Sequence, residues 1–258
     1  MESNRQERRR LMDLKYQKII HSIHHRPFTG FVFGVLLACC GCSEQDDSFH
    51  PVNPGNSWLY HITLETMEGV STQKQAISSL PTRDMNGVQN YVYRSVTGVE
   101  TLYRDSENGR ERTGFVVQEG KLSRFIEDPA LVLPASIEIG TRWESVIQTQ
   151  ALKRKGTPGE TFGFELLAAV PISNRIVALD EVVDVPAGKF RGCLKIESEG
   201  SVAHAGNQYN VTTMVSVKQT QWFARGVGLI KRSIVEKTTN EAFAQGSLTM
   251  ELASFRGP

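Results

Sequence analysis

Apolar and polar residues alternate with a period of two through nearly the whole chain from Val52 onward. That period sends successive side chains to opposite faces of an extended strand, whereas a helix needs apolar residues every three to four positions. In "SWLYHITLETM", Trp58, Tyr60, Ile62 and Leu64 share one side, and Leu59, His61, Thr63 and Glu65 share the other. In "GSLTMELASF", Leu248, Met250 and Leu252 face one way. Turns rich in Gly, Asn and Asp, such as "RDMNG" and "SENGR", separate the runs. Roughly a dozen such runs predict an antiparallel all-β domain with few helices. "DPALVLPAS", held between Pro129 and Pro134, reads as a short helical turn or a loop. A single sheet of so many strands curls or folds onto itself. The expected architecture is therefore a strongly curved sheet, an open or half barrel or a sandwich-like pair. Its concave side is a natural place for an apolar ligand.

An internal echo accompanies the alternation. "PVNPGNSWLY" (51–60) and "LPASIEIGTRWES" (133–145) both run from Pro through Gly-x-x-Trp into a strand. Gly55 and Gly140 are expected to turn the chain, and Trp58 and Trp143 to anchor the strands that follow. The echo suggests two similar halves, 51–125 and 131–258, sharing one core.

The first 38 residues have a different texture. They hold seven Lys or Arg against three Asp or Glu, a net of +4, which leaves −3 for the rest of the chain. The weakly acidic body argues against nucleic acid as a partner, since phosphate binding needs a concentrated face of cations. Phe28–Ala38 is apolar but too short to cross a bilayer, which takes roughly 20 helical residues. A basic segment, a short apolar core and small residues before a break make a secretory leader. Its start is ambiguous between Met1 and Met12, and His21, His24 and His25 fall within the removed piece.

Three cysteines end this leader in "LLACCGC". Leu36-Leu37-Ala38-Cys39 resembles the lipobox of bacterial lipoproteins, with an aliphatic residue three before the cysteine and a small one just before it. The resemblance implies cleavage ahead of Cys39 and a diacylglycerol on its thiol, with palmitate-type acyl chains. Cys42, preceded by Gly41, is the alternative. The organisation then reads as signal peptide 1–38, lipidated cysteine and flexible tether 39–50, and one β-rich envelope domain 51–258. Cys40, not Asp, follows the lipidation site two positions on from the cleavage, which favours the outer membrane. Cys193 is alone in the body and reads as a small buried hydrophobe.

Three patches of the body are distinctive: "NPGNSWLY" (53–60), "VVDVPAGKFRGCLKIE" (182–197) and "WFARGVGLIKRS" (222–233). Together they resemble the TapB-like family, an uncharacterised group of bacterial secreted and lipid-anchored proteins. The resemblance implies an extracytoplasmic β-rich domain with no established activity, so it carries over no catalytic residues. A fold-level likeness to the half-barrels of lipoprotein carriers is weaker and does not fix function. The patches also have local readings. Pro186 ends a strand where no donor is needed, Ala187-Gly188 turns, and Phe190 anchors the next strand. Gly226 and Gly228 bracket Val227 as a turn or bulge, with Trp222 and Leu229 packing inward.

No motif for chemistry accompanies these patches. The body's histidines, His50, His61 and His204, stand apart in sequence, and there is no Gly-x-Ser-x-Gly elbow. Asp180, Glu181 and Asp184 read as a solvated strand end, with a calcium site as the sharper alternative. Lys153, Arg154 and Lys155 read as a solubilising hairpin tip, with anionic lipid headgroups as the alternative contact. "NVT" at 210–212 matches a glycosylation acceptor that a bacterial protein does not use. The expectation is a non-enzymatic envelope lipoprotein without metal or cofactor. It reaches the membrane through its anchor and binds an apolar ligand, a lipid or an envelope-protein partner. A structural or assembly component and an unrecognised hydrolase are the alternatives.

Overall fold

The computed structural model describes residues 46–85, 87–119, 122–154, 164–205 and 212–258. Cys39, Cys42, the leader, the tether up to residue 45, Lys155 and Asn210 lie outside the described residues. Glu44–Pro258 forms a compact unit.

The strands are β1 (Ser57–Thr66), β2 (Gly69–Met85), β3 (Val88–Ser95), β4 (Glu100–Ser106), β5 (Gly109–Glu119), β6 (Leu122–Pro134), β7 (Arg142–Gln148), β8 (Lys153–Arg154), β9 (Phe164–Glu165), β10 (Ala169–Val185), β11 (Gly188–Ala205), β12 (Thr212–Ala224), β13 (Gly228–Thr238) and β14 (Gln245–Arg256). Twelve of them form one antiparallel sheet in the order β6-β5-β4-β3-β2-β1-β14-β13-β12-β11-β10-β7. The described residues contain no helix, and the sheet is not closed into a barrel. The first and last strands pair at its centre, Ile62 opposite Met250 and Leu64 opposite Leu248. One meander runs outward from β1 to β6, and the other from β14 to β7.

The register explains the core. β1 places Trp58, Tyr60 and Ile62 beside Leu248, Met250 and Leu252 of β14, and all six are buried. Val215, Val217, Ile230 and Ile234 extend that cluster across β12 and β13. A smaller cluster of Val92, Leu102 and Val116 serves the other wing. There Glu100 is gripped by Arg83 and by Arg94, the latter at 2.5 Å. Burial alone would raise the Glu100 carboxyl, but these two guanidinium hydrogen bonds hold it below the ordinary carboxylate range.

Several elements depart from the sequence reading. "DPALVLPAS" is neither helical turn nor loop, because its residues up to Pro134 belong to strand β6. β6 is an edge strand, and Pro129 falls where its register against β5 shifts, so the missing N–H breaks no ladder bond. Pro186 and Ala187 are the two turn residues of the β10–β11 hairpin, and Gly188 opens β11 with φ +130°. Three register shifts bend that hairpin, and its tip reaches β14, where the Ala187 N–H donates to the Leu252 carbonyl at 2.9 Å.

The last residues of the expected tether, 46–50, are packed on the sheet. Phe49 and His50 are buried, and Arg225 lies 4.5 Å over the Phe49 ring. Asp46 accepts from the Ser48 and Val52 N–H groups, and the Ser48 carbonyl accepts from Gly226. Residues 46–50 are therefore part of the packed fold, because the apolar Phe49 joins a core cluster with Leu133, Ile176, Leu194, Ile196 and Phe223.

Candidate functional site

The sheet wraps around a cavity of about 600 Å³. Its wall draws on both edges of the strand order: Leu131 from β6 and Trp143 from β7, joined where Trp143 Nε1 donates to the Leu131 carbonyl at 3.2 Å. The rolled sheet thus brings its edges close without ladder pairing.

Alternation on β1 aims Trp58 and Tyr60 into this wall, and both are fixed by polar tips. Trp58 Nε1 donates to the Val227 carbonyl at 2.6 Å, and the Tyr60 hydroxyl to the Leu229 carbonyl at 2.8 Å. Tyr93, Tyr103 and Phe115 continue the wall on β3, β4 and β5. Burial raises the Tyr60, Tyr93 and Tyr103 hydroxyls above the ordinary tyrosine range, so they stay neutral donors.

His50 is part of the same wall. Its ring stacks on Tyr93 at 5.1 Å and leans on Tyr103 at 4.7 Å. Arg110 Nη1 lies 3.0 Å from His50 Nδ1 and 2.9 Å from the His50 carbonyl. A guanidinium can only donate, so Nδ1 is an acceptor here. Burial, reinforced by the Arg110 charge, pushes His50 down to about 3. His50 is thus a neutral clamp that seats the N-terminal segment.

Polar groups enter from β12 and β13. Arg232 Nε donates to Gln219 Oε1 at 2.7 Å, and Gln219 Nε2 donates to Gln221 Oε1 at 3.1 Å. Burial pulls Arg232 down to about 10, leaving it charged at neutral pH. Arg112 is paired with Asp128 at 2.5 Å. Asn174, also in the wall, donates to Ser145 and the Trp143 carbonyl and accepts from Ser198.

The residues singled out from sequence fall into two groups. Trp58, Trp143 and Gly228 line the cavity. Gly228, at φ +90°, pairs with Ala224 at the mouth of the Arg225–Val227 turn, and a Cβ there would meet Pro51 at 3.3 Å. Gly55, Gly140 and Gly226 also have positive φ, in turns beside β1, β7 and β13. Pro186, Gly188 and Phe190 are not in the wall. Nor is Trp222, although it packs against the main core cluster. It is half-buried, with Lys195 and Lys231 each 6.0 Å from its ring, because alternation along β12 gives the cavity-facing row to Gln219, Gln221 and Phe223.

The remaining candidates are dispersed. His61 is exposed on β1, and His204 lies near the end of β11 opposite Thr213. Glu181 and Asp184 face Lys195 and Lys189. Among the described residues no three His, Cys, Asp or Glu side chains are grouped as a metal ion would need. Lys153 pairs with Glu165 at 3.2 Å, and Arg154 lies 5.8 Å over Phe243. Cys193 is buried and free, with its thiol raised by burial.

Sequence reading missed Arg232, Gln219 and Gln221. The signal was present. Gln219 and Gln221 continue the inward row of Val215 and Val217, and Arg232 shares the row of Ile234, so polar residues interrupt two adjacent core-facing rows.

The DUF3108-like family model matches residues 159–241, a segment that includes the second and third sequence patches but not the first. No curated protein matches the chain. Three solved structures do. A candidate lipoprotein of Parabacteroides distasonis is 14% identical, over 81% of this chain and 98% of its own, with a TM-score of 0.38. A candidate exported protein of Bacteroides fragilis with a YmcC-like fold is 13% identical, over 81% and 99%, at 0.39. A candidate outer membrane lipoprotein-sorting protein domain of Vibrio parahaemolyticus is 12% identical, over 82% and 87%, at 0.27.

Proposed function

We infer that this chain is a non-enzymatic envelope lipoprotein that holds an apolar ligand inside its rolled sheet. The observation that carries the reading is the hollow itself. Trp58 and Trp143 stand in the wall of a cavity of about 600 Å³ and do not fill it. That volume falls in the range of roughly 300–1,000 Å³ typical of small-molecule sites, which are likewise lined by apolar and aromatic groups with a few polar ones. His50, the one histidine of the wall, is occupied as a clamp, which gives the site a binding character.

The compartment rests on the leader and on Cys39, with Cys42 as the alternative lipid acceptor. The lipid is a diacylglycerol thioether with added acyl chains, and the outer membrane is the favoured address. The likeness of the three patches to the TapB-like group agrees with this. Cys39→Ser should move the protein from the membrane fraction to the soluble one, and unchanged fractionation would contradict the assignment.

Ligand uptake is tested with the neutral dye N-phenylnaphthylamine and residues 44–258. Saturable binding is expected. It should be lost in Ala130→Trp, which places a large ring in the cavity wall while leaving the core strands intact. Equal dye uptake by both proteins would contradict the reading.

A second reading has its own observation. On the open edge strand β6, Leu122, Phe125 and Ile126 are exposed. An edge of this kind fits a partner strand, as in a structural or assembly role. Crosslinking from position 125 in intact cells distinguishes it, since only this reading expects one discrete protein adduct.

A further inference from the structure

We propose that the ligand is an anionic amphiphile, its carboxylate or phosphate head held by Arg232 and its apolar tail lying along the aromatic wall. The proposal deepens the apolar-ligand reading and rests on it. The ionisable groups of the wall other than its tyrosines are His50, Arg112, Asp128 and Arg232. His50 is neutral, and Arg112 is matched by Asp128, so the cavity keeps one positive charge in excess, on Arg232.

Among the described residues no carboxylate forms an ion pair with that charge, and Glu236, four residues along β13, acts on it only through space. Glu236, on the same strand, engages its carboxylate with the backbone N–H groups of Gln150 and Ala151 at 2.7–3.0 Å. Among the described residues the Arg232 side chain makes one hydrogen bond, from Nε to Gln219. Among the described residues its two Nη groups have no protein acceptor, and Arg232 stands in the cavity wall. A partly buried cation without a direct ion pair is costly, and burial already weakens its hold on the proton. A guanidinium presents a planar fork of donors that matches the two oxygens of a carboxylate or phosphate. The Gln219–Gln221 hydrogen bond holds the Oε1 that orients this fork. Apolar contacts flank it, with Phe223 and Leu229 on neighbouring positions and Met250 opposite in register. A head group at Arg232 therefore places a tail against Tyr60 and Trp58.

The test measures displacement of N-phenylnaphthylamine from residues 44–258 by dodecanoate, dodecyl phosphate, dodecanol and inorganic phosphate. Dodecanoate or dodecyl phosphate should bind about tenfold or more tightly than dodecanol, the gain expected of a charge-assisted hydrogen bond. Which of the two binds better identifies the head as carboxylate or phosphate. Inorganic phosphate alone should fail to displace the dye, and tight binding of it would overturn the amphiphile in favour of a free oxyanion. Arg232→Met should erase the preference while retaining dodecanol binding, and Arg232→Lys should restore part of it. If Arg232→Met does not fold, the wild-type comparison of dodecanoate with dodecanol decides alone. Equal binding of acid and alcohol overturns this proposal and leaves the apolar-ligand reading standing. Failure of every long-chain probe overturns both.

Discussion

Trp58 Nε1 donates to the Val227 carbonyl at 2.6 Å, across 169 residues of sequence. The bond reaches from β1 past β14 to the turn that opens β13. It joins the first distinctive sequence patch to the third, and it fixes the indole as a wall of the cavity. Trp58→Phe removes the donor and part of the ring's buried volume. The expected loss is about 1–3 kcal/mol of unfolding free energy in urea denaturation. Tyr60→Phe, which removes only a hydroxyl, should cost about 1 kcal/mol.

His50 should make the fold acid-sensitive before its carboxylates do. Its folded value is about 3 against an ordinary 6.5, so below pH 6.5 the unfolded chain takes up a proton that the folded chain refuses. Stability from this group is complete above pH 6.5 and falls by up to about 1.4 kcal/mol per pH unit on the way down. Asp46, Glu100, Asp105 and Glu111 are held low, so their losses come at still lower pH. Glu236 is raised by burial and acts in the opposite sense. His50→Phe keeps a ring against Tyr93 and removes the titration. Denaturation at pH 7 and pH 5 should therefore show a steeper fall for the wild type, and parallel falls would refute this role.

Glu236 is a clasp rather than a surface charge. It is fully buried and holds residues 150–151 against β14, where Gly246 leaves room for the Ala151 carbonyl. Glu236→Ala orphans two backbone donors and should cost about 2–4 kcal/mol, while Glu236→Gln, which retains an acceptor oxygen, should cost less. A Cβ at Gly246 would fall 2.1 Å from the Ala151 oxygen, so Gly246→Ala should destabilise as well.

Cys193 should be inert in the native state. It is fully buried, and burial raises its thiol. In residues 44–258 it is the single cysteine. Iodoacetamide should label it at the rate of unfolding, accelerating sharply in urea. Rapid native labelling would show that the β10–β11 hairpin opens on its own.

The sheet was legible wherever one side of a strand is buried and the other wet. β1 and β14 announce themselves through Trp58-Tyr60-Ile62 and Leu248-Met250-Leu252, which the structure pairs at the centre. Pro129 misled, because proline signals a break unless the strand lies on an edge, and edge position is a property of topology. Residues 46–50 misled in the same way: "QDDSFH" has a linker's composition, and only the pocket beside Arg225 explains why Phe49 is buried. Arg232 was hidden by its type. An arginine reads as surface until its neighbours in register, Gln221 and Met250, prove to face inward.

The most direct test of the central claim is native mass spectrometry of residues 44–258 purified from cells, compared with the denatured spectrum. An extra mass is expected in the native spectrum that disappears on denaturation, with an acidic amphiphile in the organic extract. A native mass equal to the bare chain, together with no uptake of any long-chain probe, would contradict the claim.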